Sequence, residues 1–475
     1  MILLRLRDRC GGTRSRALAA KSRSQKALDG VHPSAKGADG RPGDPRFAWR
    51  PDGTEPSRLS TRGMNIRKTP KRIQRILRNL NLTATVAAAL KDPRRTNSPW
   101  PFVLLLEVLL VGTLLLRRAL LTVEQDSEAM GTRVPDSTLS YVMTRINPSP
   151  FRAVLHRQIR TMHRSRSLKP VGLPFGIATV DGKTTWTGTH RGDTMCQKQG
   201  DHWHLRAMRF VLSSAASRPC IEQFFLPPET NEIGYFKTAW AALLTTYGRL
   251  GLFEALTGDA GYASKENATL VDEASKGYIF RINDAQPTLL AEMQRVLLPR
   301  AGQPEAVSPW ERVDGREVQR RLVRTDVLAG FDGWPHLRQA WLIQTVVMHE
   351  DRREEVVMER YFATNLVWKA LSPLQILLAV RAHWRIENDC NWVMDVIGGE
   401  DTSSWTNNRK AVAAHHPLQV QAWLRVIAYN VLGWLKRVRL RSRPSWPELL
   451  RALERVLLPY LTELEAQVAV AVFLG

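Results

Sequence analysis

Cysteine is scarce in this chain: four in 475 residues, Cys10, Cys196, Cys220 and Cys390. No two form a Cys-x-x-Cys pair, which excludes the usual zinc-thiolate and dithiol redox motifs. Sparse, irregular cysteines fit a reducing compartment. No secretory signal is expected either, since Met1–Leu4 is followed at once by alternating arginines and lacks an apolar core. Long apolar runs are nearly absent. The one candidate, WPFVLLLEVLLVGTLLLRRALL at 100–121, is interrupted by Glu107 and closed by Arg117 and Arg118. Its unbroken parts are short for a bilayer and a central charge is costly there. A buried core helix is therefore expected, and no membrane partner.

Acidic residues are outnumbered. There are 68 Lys and Arg against 45 Asp and Glu, a net charge of +23, and the pI is near 10.4. Such an excess points to a polyanionic partner, most often nucleic acid. Much of it is local: residues 1–80 hold 20 basic and 6 acidic side chains. The remainder is only mildly basic. The hydrophobic share of 44% and charged share of 24% are ordinary for a globular protein.

Residues 1–63 are rich in Arg, Ser, Gly, Pro and Asp without apolar periodicity, which predicts a disordered basic extension. Met64 opens the first helical pattern and is an alternative start. Residues 64–170 read as a helical DNA-binding module. Arg72, Arg75, Arg145, Arg152, Arg157 and Arg160 are candidates for its phosphate-facing side, although a solvated helix surface explains any one of them as well. From 171 the pattern changes. GIATVDGKTTWTG reads as strand, turn, strand; HLRAMRFVLSSA and PCIEQFFLPP as strands; NEIGYFKTAWAALLTTYGRLG as a helix. FEALTGD and YIFRIND are further strands around a helix, giving a mixed α/β sheet over 171–284. Residues 285–370 read as an inserted β-subdomain with a hairpin at Asp314-Gly315. A long helix begins at Ser372-Pro373 and fills most of 371–408, and 409–475 form a helical tail.

The run RAHWRIENDCNWVMD at 381–395 is too polar for a core helix and too aromatic for a solvated one. Glu387 sits at its centre. Asp181 and Asp259 each follow an apolar strand, where α/β sheets place their sites. Two strand aspartates and a helix glutamate can hold hard divalent cations, which want oxygen ligands. Each also has a plainer reading: Asp181-Gly182 as a hairpin dipeptide, Asp259 as a helix cap, Glu387 as a surface residue paired with His383 or Arg385. Lys183 either contacts a phosphate or points into solvent. Trp384 suits stacking on a frayed base, and Asn388 suits fixing the Glu387 rotamer. Trp392 is assigned to the core. Asp395 and Asp401 are expected too far along the helix to share the metals.

Three stretches, DGKTTWTG (181–188), TGDAGYASKENATLV (257–271) and HWRIENDCNWVMDV (383–396), make the chain resemble the DDE transposases of bacterial insertion sequences. TNEI (230–233) and DSTLSYVMTRI (136–146) add weaker likeness. The resemblance implies a ribonuclease H-like fold. It implies that Asp181, Asp259 and Glu387 bind two Mg2+ or Mn2+ ions and carry DNA cleavage and strand transfer. It also implies double-stranded DNA as partner (element ends and target), a homodimer on that DNA, and the bacterial cytoplasm at the nucleoid. Strands inserted before the last helix account for the long gap between Asp259 and Glu387. The chain departs from many relatives around the glutamate, where Val380, His383 and Met394 replace a Tyr, an Arg and a Lys. The charge for DNA would then come from Lys183, Arg381, His383 and Arg385, with Trp384 and Asn388 beside them. A metal-dependent nuclease without strand transfer and a decayed DNA-binding remnant are the competing readings.

Overall fold

The computed structural model describes residues 68–94, 98–188, 191–402, 405 and 415–459. The expectations for 1–63, for most of 403–414 and for 460–475 lie outside them.

Six helices open the described chain: α1 (Lys68–Leu80), α2 (Leu82–Ala87), α3 (Phe102–Leu114), α4 (Leu120–Ala129), α5 (Asp136–Arg145) and α6 (Phe151–Arg164). Helix α1 is amphipathic: Ile73 and Ile76 are buried while Lys71, Arg75 and Arg78 face solvent. Helix α3 is apolar on every side and is buried from Leu105 to Leu114. It is 13 residues long, and among the described residues no helix is long and apolar enough to cross a membrane. The expected core helix is what forms. Glu107 is buried within it, and burial pushes its carboxyl up to about 7.

The centre of the molecule is one sheet. Its strands are β1 (Ile177–Gly188), β2 (Gln197–Gln199), β3 (His202–Leu212) and β4 (Cys220–Phe225), then, after α7 (Glu232–Tyr247), β5 (Ala255–Gly258). Helix α8 (Lys265–Glu273) leads to β6 (Gly277–Ile282) and α9 (Pro287–Leu297) to β7 (Ala306–Val307). Strands β8 (Glu311–Val313), β9 (Arg316–Thr325), β10 (Gln339–Met348) and β11 (Glu354–Thr364) follow. The order is β2-β3-β1-β5-β6-β11-β10-β9-β7, with β4 also on β3 and β8 on β9. Strand β3 is antiparallel to both β1 and β4, and β5 and β6 run parallel to β1. With α7 and α8 as the connections, this is the ribonuclease H-like arrangement of a mixed α/β fold.

Two expectations change. Asp181-Gly182 makes no turn: β1 runs unbroken and β3 pairs with it from Ala178 to Gly188. A full ladder of cross-strand bonds outweighs the local Asp-Gly preference. Strands of 285–370 do not stand apart either; β11 pairs antiparallel with β6 and extends the same sheet, and helix α9 was not anticipated. The hairpin at Asp314-Gly315 does form, both residues with positive φ (48° and 81°).

After β11 come α10 (Pro373–His383), α11 (Pro417–Trp434) and α12 (Trp446–Leu457). Ser372 and Gln375 close a capping box at the start of α10. The two last helices return to the beginning of the chain. Helix α12 packs on α1 and α11 on α3 and α6, and one apolar core runs from Ile73 to Leu457. The N-terminal helices and the tail therefore share a core. An Arg117–Glu454 ion pair of 3.0 Å ties them further.

Candidate active site

Strand register brings the two aspartates together. Strands β1 and β5 are adjacent and parallel, with Thr179 opposite Thr257. Two residues further on, Asp181, inside β1, and Asp259, just past the end of β5, stand level on neighbouring strands, whose spacing is about 4.8 Å. A step of two also keeps each on the face of its threonine. That face meets the last helix: Thr257 Oγ1 lies 3.3 Å from His383 Nδ1. At the other end of the contact, Asn391 Nδ2 donates to Asp181 Oδ2 at 3.2 Å. Glu387 sits midway between His383 and Asn391 on the segment laid over β1. That segment is not the α-helix its sequence suggests. Beyond His383 it widens into π-helical turns, Ile386–Asn391 and Val393–Ile397, a form frequent at functional sites.

Further groups complete the setting. The Glu232 carboxylate rests on Gly182; a Cβ there would come within 2.1 Å of it. Burial and the charge of Asp259 raise the Glu232 carboxyl. Tyr262 is buried, and its hydroxyl has no hydrogen-bond partner. Burial and the charges of Glu232, Asp181 and Asp259 push that hydroxyl well up. Arg281 on β6 is lowered by burial, against the opposing charges of Asp259 and Glu387. Among the described residues no three ligating side chains form a ready-made metal cluster. The donor set still suits a hard cation, for it is entirely oxygen. The orphaned Tyr262 hydroxyl is buried within reach of three carboxylate charges, those of Glu232, Asp181 and Asp259.

The residues expected on DNA are placed less simply. Lys183 is buried and pairs with Asp395 at 2.6 Å and Asp401 at 3.3 Å. Both aspartates therefore reach back to a residue two positions from Asp181, nearer to it than a helix continued beyond Glu387 would bring them. Arg381 donates to Glu311 Oε2 at 2.7 Å. Arg385 donates to the Ser213 carbonyl at 2.9 Å, and burial brings its guanidinium down to about 9. His383 is buried, edge-on to Trp384, and burial lowers it to about 3. A neutral, enclosed imidazole has no charge to offer a phosphate. Trp384 is half-buried with Arg360 over its ring, and Asn388 is half-buried beside Glu387. Ser264, not Asp259, caps α8, so the plainer reading of Asp259 as a cap falls away. Sequence reasoning missed Glu232, Tyr262, Arg281, Arg209, Asn391 and Glu400 as site residues. Glu232 and Tyr262 lie inside the TNEI and TGDAGY stretches, so a signal for them was present.

The profile of the transposase DDE domain family matches residues 184–431, a span that holds Asp259 and Glu387 and starts just past Asp181. The chain belongs to this family. It is similar to two Escherichia coli (strain K12) proteins. One is YbfL, 24% identical over 306 residues, covering 62% of this chain and 72% of that protein. The other is the H repeat-associated putative transposase YhhI, 24% identical over 308 residues with the same coverage of 62% and 72%. A solved structure, the piggyBac transposase synaptic complex with hairpin DNA, aligns over 86% of this chain and 83% of its own at 10% identity and a TM-score of 0.40. That likeness is too loose to carry an argument. As a DDE transposase the chain is an enzyme, and the family depends on divalent metal.

Proposed function

We propose that this transposase serves a bacterial insertion sequence, cutting the element's ends and joining them to target DNA. In the first step a water oxygen attacks phosphorus at the element end, the P–O3′ bond breaks, and a 3′-hydroxyl is freed. In the second, that hydroxyl attacks a target phosphorus, forming one phosphodiester and releasing a target 3′-hydroxyl. The observation that carries this reading is the register that sets Asp181 level with Asp259 under the turn bearing Glu387. These three carboxylates would hold two magnesium or manganese ions, which when bound polarise the nucleophile and neutralise the departing oxygen. Glu232 and Tyr262 would add polar groups beside them, and Arg281 a cation. Exposed Arg75, Arg157 and Arg160, on α1 and α6, are suited to duplex phosphates. Trp384 and Asn388 would be the helix groups to meet the element end. Arg381, Arg385 and Lys183 would do so only by leaving their present partners. The protein would act as a homodimer on double-stranded DNA at the bacterial nucleoid, in the cytoplasm.

The test is magnesium-dependent nicking of a labelled duplex carrying the element end, read from DNA flanking the gene, with a gel shift at the same salt. Asp181→Asn, Asp259→Asn and Glu387→Gln each remove one anionic donor at nearly constant volume. Each should lower nicking by on the order of 10²–10³ or more. Binding should survive, because it rests on phosphate contacts elsewhere. The control is Asp351→Asn, in the exposed turn between β10 and β11. A triad variant that nicks at the wild-type rate overturns the reading. Transfer of a pre-cut end separates a transposase from a plain nuclease. Binding without nicking or joining, in either metal, identifies a DNA-binding remnant.

A further inference from the structure

Asp181 stands directly across the β1–β3 ladder from Arg209. Opposite residues share a face of the sheet, so a buried guanidinium lies beside a carboxylate of the triad. Arg209 is 1% exposed. Its Nε donates to Gln223 Oε1 at 2.8 Å, its Nη2 to Glu400 Oε1 at 2.9 Å, and its Nη1 to Asn391 Oδ1 at 3.3 Å. A guanidinium has only donors. The Asn391 oxygen must therefore face Arg209, and its NH2 must face Asp181. Turning the amide over would set NH2 against guanidinium and C=O against carboxylate. Asn391 is itself buried, 8% exposed. The second Asp181 oxygen, Oδ1, accepts from the Gly182 N–H at 2.9 Å. Both oxygens thus have a donor, and the plane of the carboxylate is set.

The charge of the anchor is balanced. Glu400 is 4% exposed and pairs with Arg209 through both oxygens. Arg209 can therefore hold Asn391 rigidly without adding a net positive charge beside a cation site. Asn391 also lies on the same π-helical segment as Glu387. Its bond to Asp181 fixes how far the helix carboxylate stands from the strand carboxylate.

We propose that Asn391 is a positioning residue that aims Asp181 at the metal site, held in its one useful orientation by the Arg209–Glu400 pair. This rests on the reading of Asp181 as a metal ligand. Partners of this kind typically change metal affinity by 10–100-fold when removed. The probe is Mn2+ alone, titrated into the full chain and followed by the electron paramagnetic resonance signal of free Mn2+. Asn391→Leu keeps the branching and the number of side-chain heavy atoms and loses both contacts; it should bind Mn2+ about tenfold more weakly. Nicking should fall in step at low Mn2+ and largely recover when Mn2+ is raised. Asn391→Gln, which keeps the amide, should recover part of the affinity. A residue that only supported the fold would lower the melting temperature and leave Mn2+ affinity alone. If Asn391→Leu does not fold, Asn391→Ala is read in the same way. Binding of Mn2+ within twofold of wild type by the folded variant overturns the inference. Asp181→Asn is titrated alongside. If it too binds Mn2+ like wild type, the reading of Asp181 as a ligand fails; if it alone loses Mn2+, only the positioning role fails.

Discussion

Replacing Glu400 by Gln should unbalance a deeply buried charge cluster. Burial by itself would raise the Glu400 carboxyl. The charges of Arg209, Lys183 and Arg425, with the Arg209 hydrogen bond, overcome that and hold it at about 2, against an ordinary 4.5. At 4% exposure solvent screening is slight. A depression of that size corresponds to about 3 kcal/mol of stability at neutral pH. Breaking one side of a buried ion pair costs about 3–5 kcal/mol, so the two routes agree. A glutamine oxygen still accepts one bond from Arg209, which favours the lower end. For a chain of this size the melting temperature should drop by about 3–4 °C. The sign with pH follows from the direction of the shift. A depressed carboxylate contributes its full stability above the unfolded pKa and loses it as pH falls from about 4.5 towards about 2. The assay is a thermal melt of wild type and Glu400→Gln at pH 7 and again near pH 3. The gap should narrow at the lower pH. A drop of less than about 1 °C at pH 7, or a gap just as wide near pH 3, would refute the reasoning.

Two further outcomes follow from raised carboxyls. Asp395 is pushed up to about 6 by burial, with Lys183 opposing and Glu400 and Asp401 adding to the rise. The folded state then binds the proton more tightly than the unfolded one, so this group's contribution to stability falls as pH rises from about 4 to about 6. Asp395→Asn should flatten that part of the profile of melting temperature against pH; an unchanged slope would show that the group does not titrate there. Glu107, raised to about 7 by burial and with Oε2 lacking a hydrogen-bond partner, works the same way inside α3. Glu107→Gln should stabilise the protein by about 1–3 kcal/mol above pH 7 and by little at pH 4.5, as measured by urea unfolding at both values. Equal effects at both would mean that the side chain is solvated.

Much of the site was legible before the fold was known, for reasons of local chemistry. FGIATVD and FEALTGD are apolar stretches closing on a carboxylate, and with the glutamate of the polar run they make a set of three oxygen donors. Ser372-Pro373 starts a helix because serine caps it and proline fits its first position. Surface charge was harder to read. Lys183, Arg381 and Arg385 look like phosphate contacts in sequence, yet each has an acidic side chain or a carbonyl from a distant part of the chain within bonding distance. Nothing in the local sequence could reveal those partners.

Sequence alone determined most of the elements, the polar run around Glu387 and the oxygen-only donor set, because periodicity, capping and side-chain chemistry act over a few residues. Tertiary structure decided the rest. Only the β1–β3 ladder turned an apparent Asp-Gly turn into continuous strand, since cross-strand bonds outweigh a dipeptide's preference. Only strand register set Asp181 level with Asp259, because pairing between segments more than seventy residues apart leaves no local trace. And only packing of the π-helical segment over β1 and β3 joined Asn391, Arg209 and Glu400 to Asp181, through contacts whose partners are scattered across two hundred residues of chain.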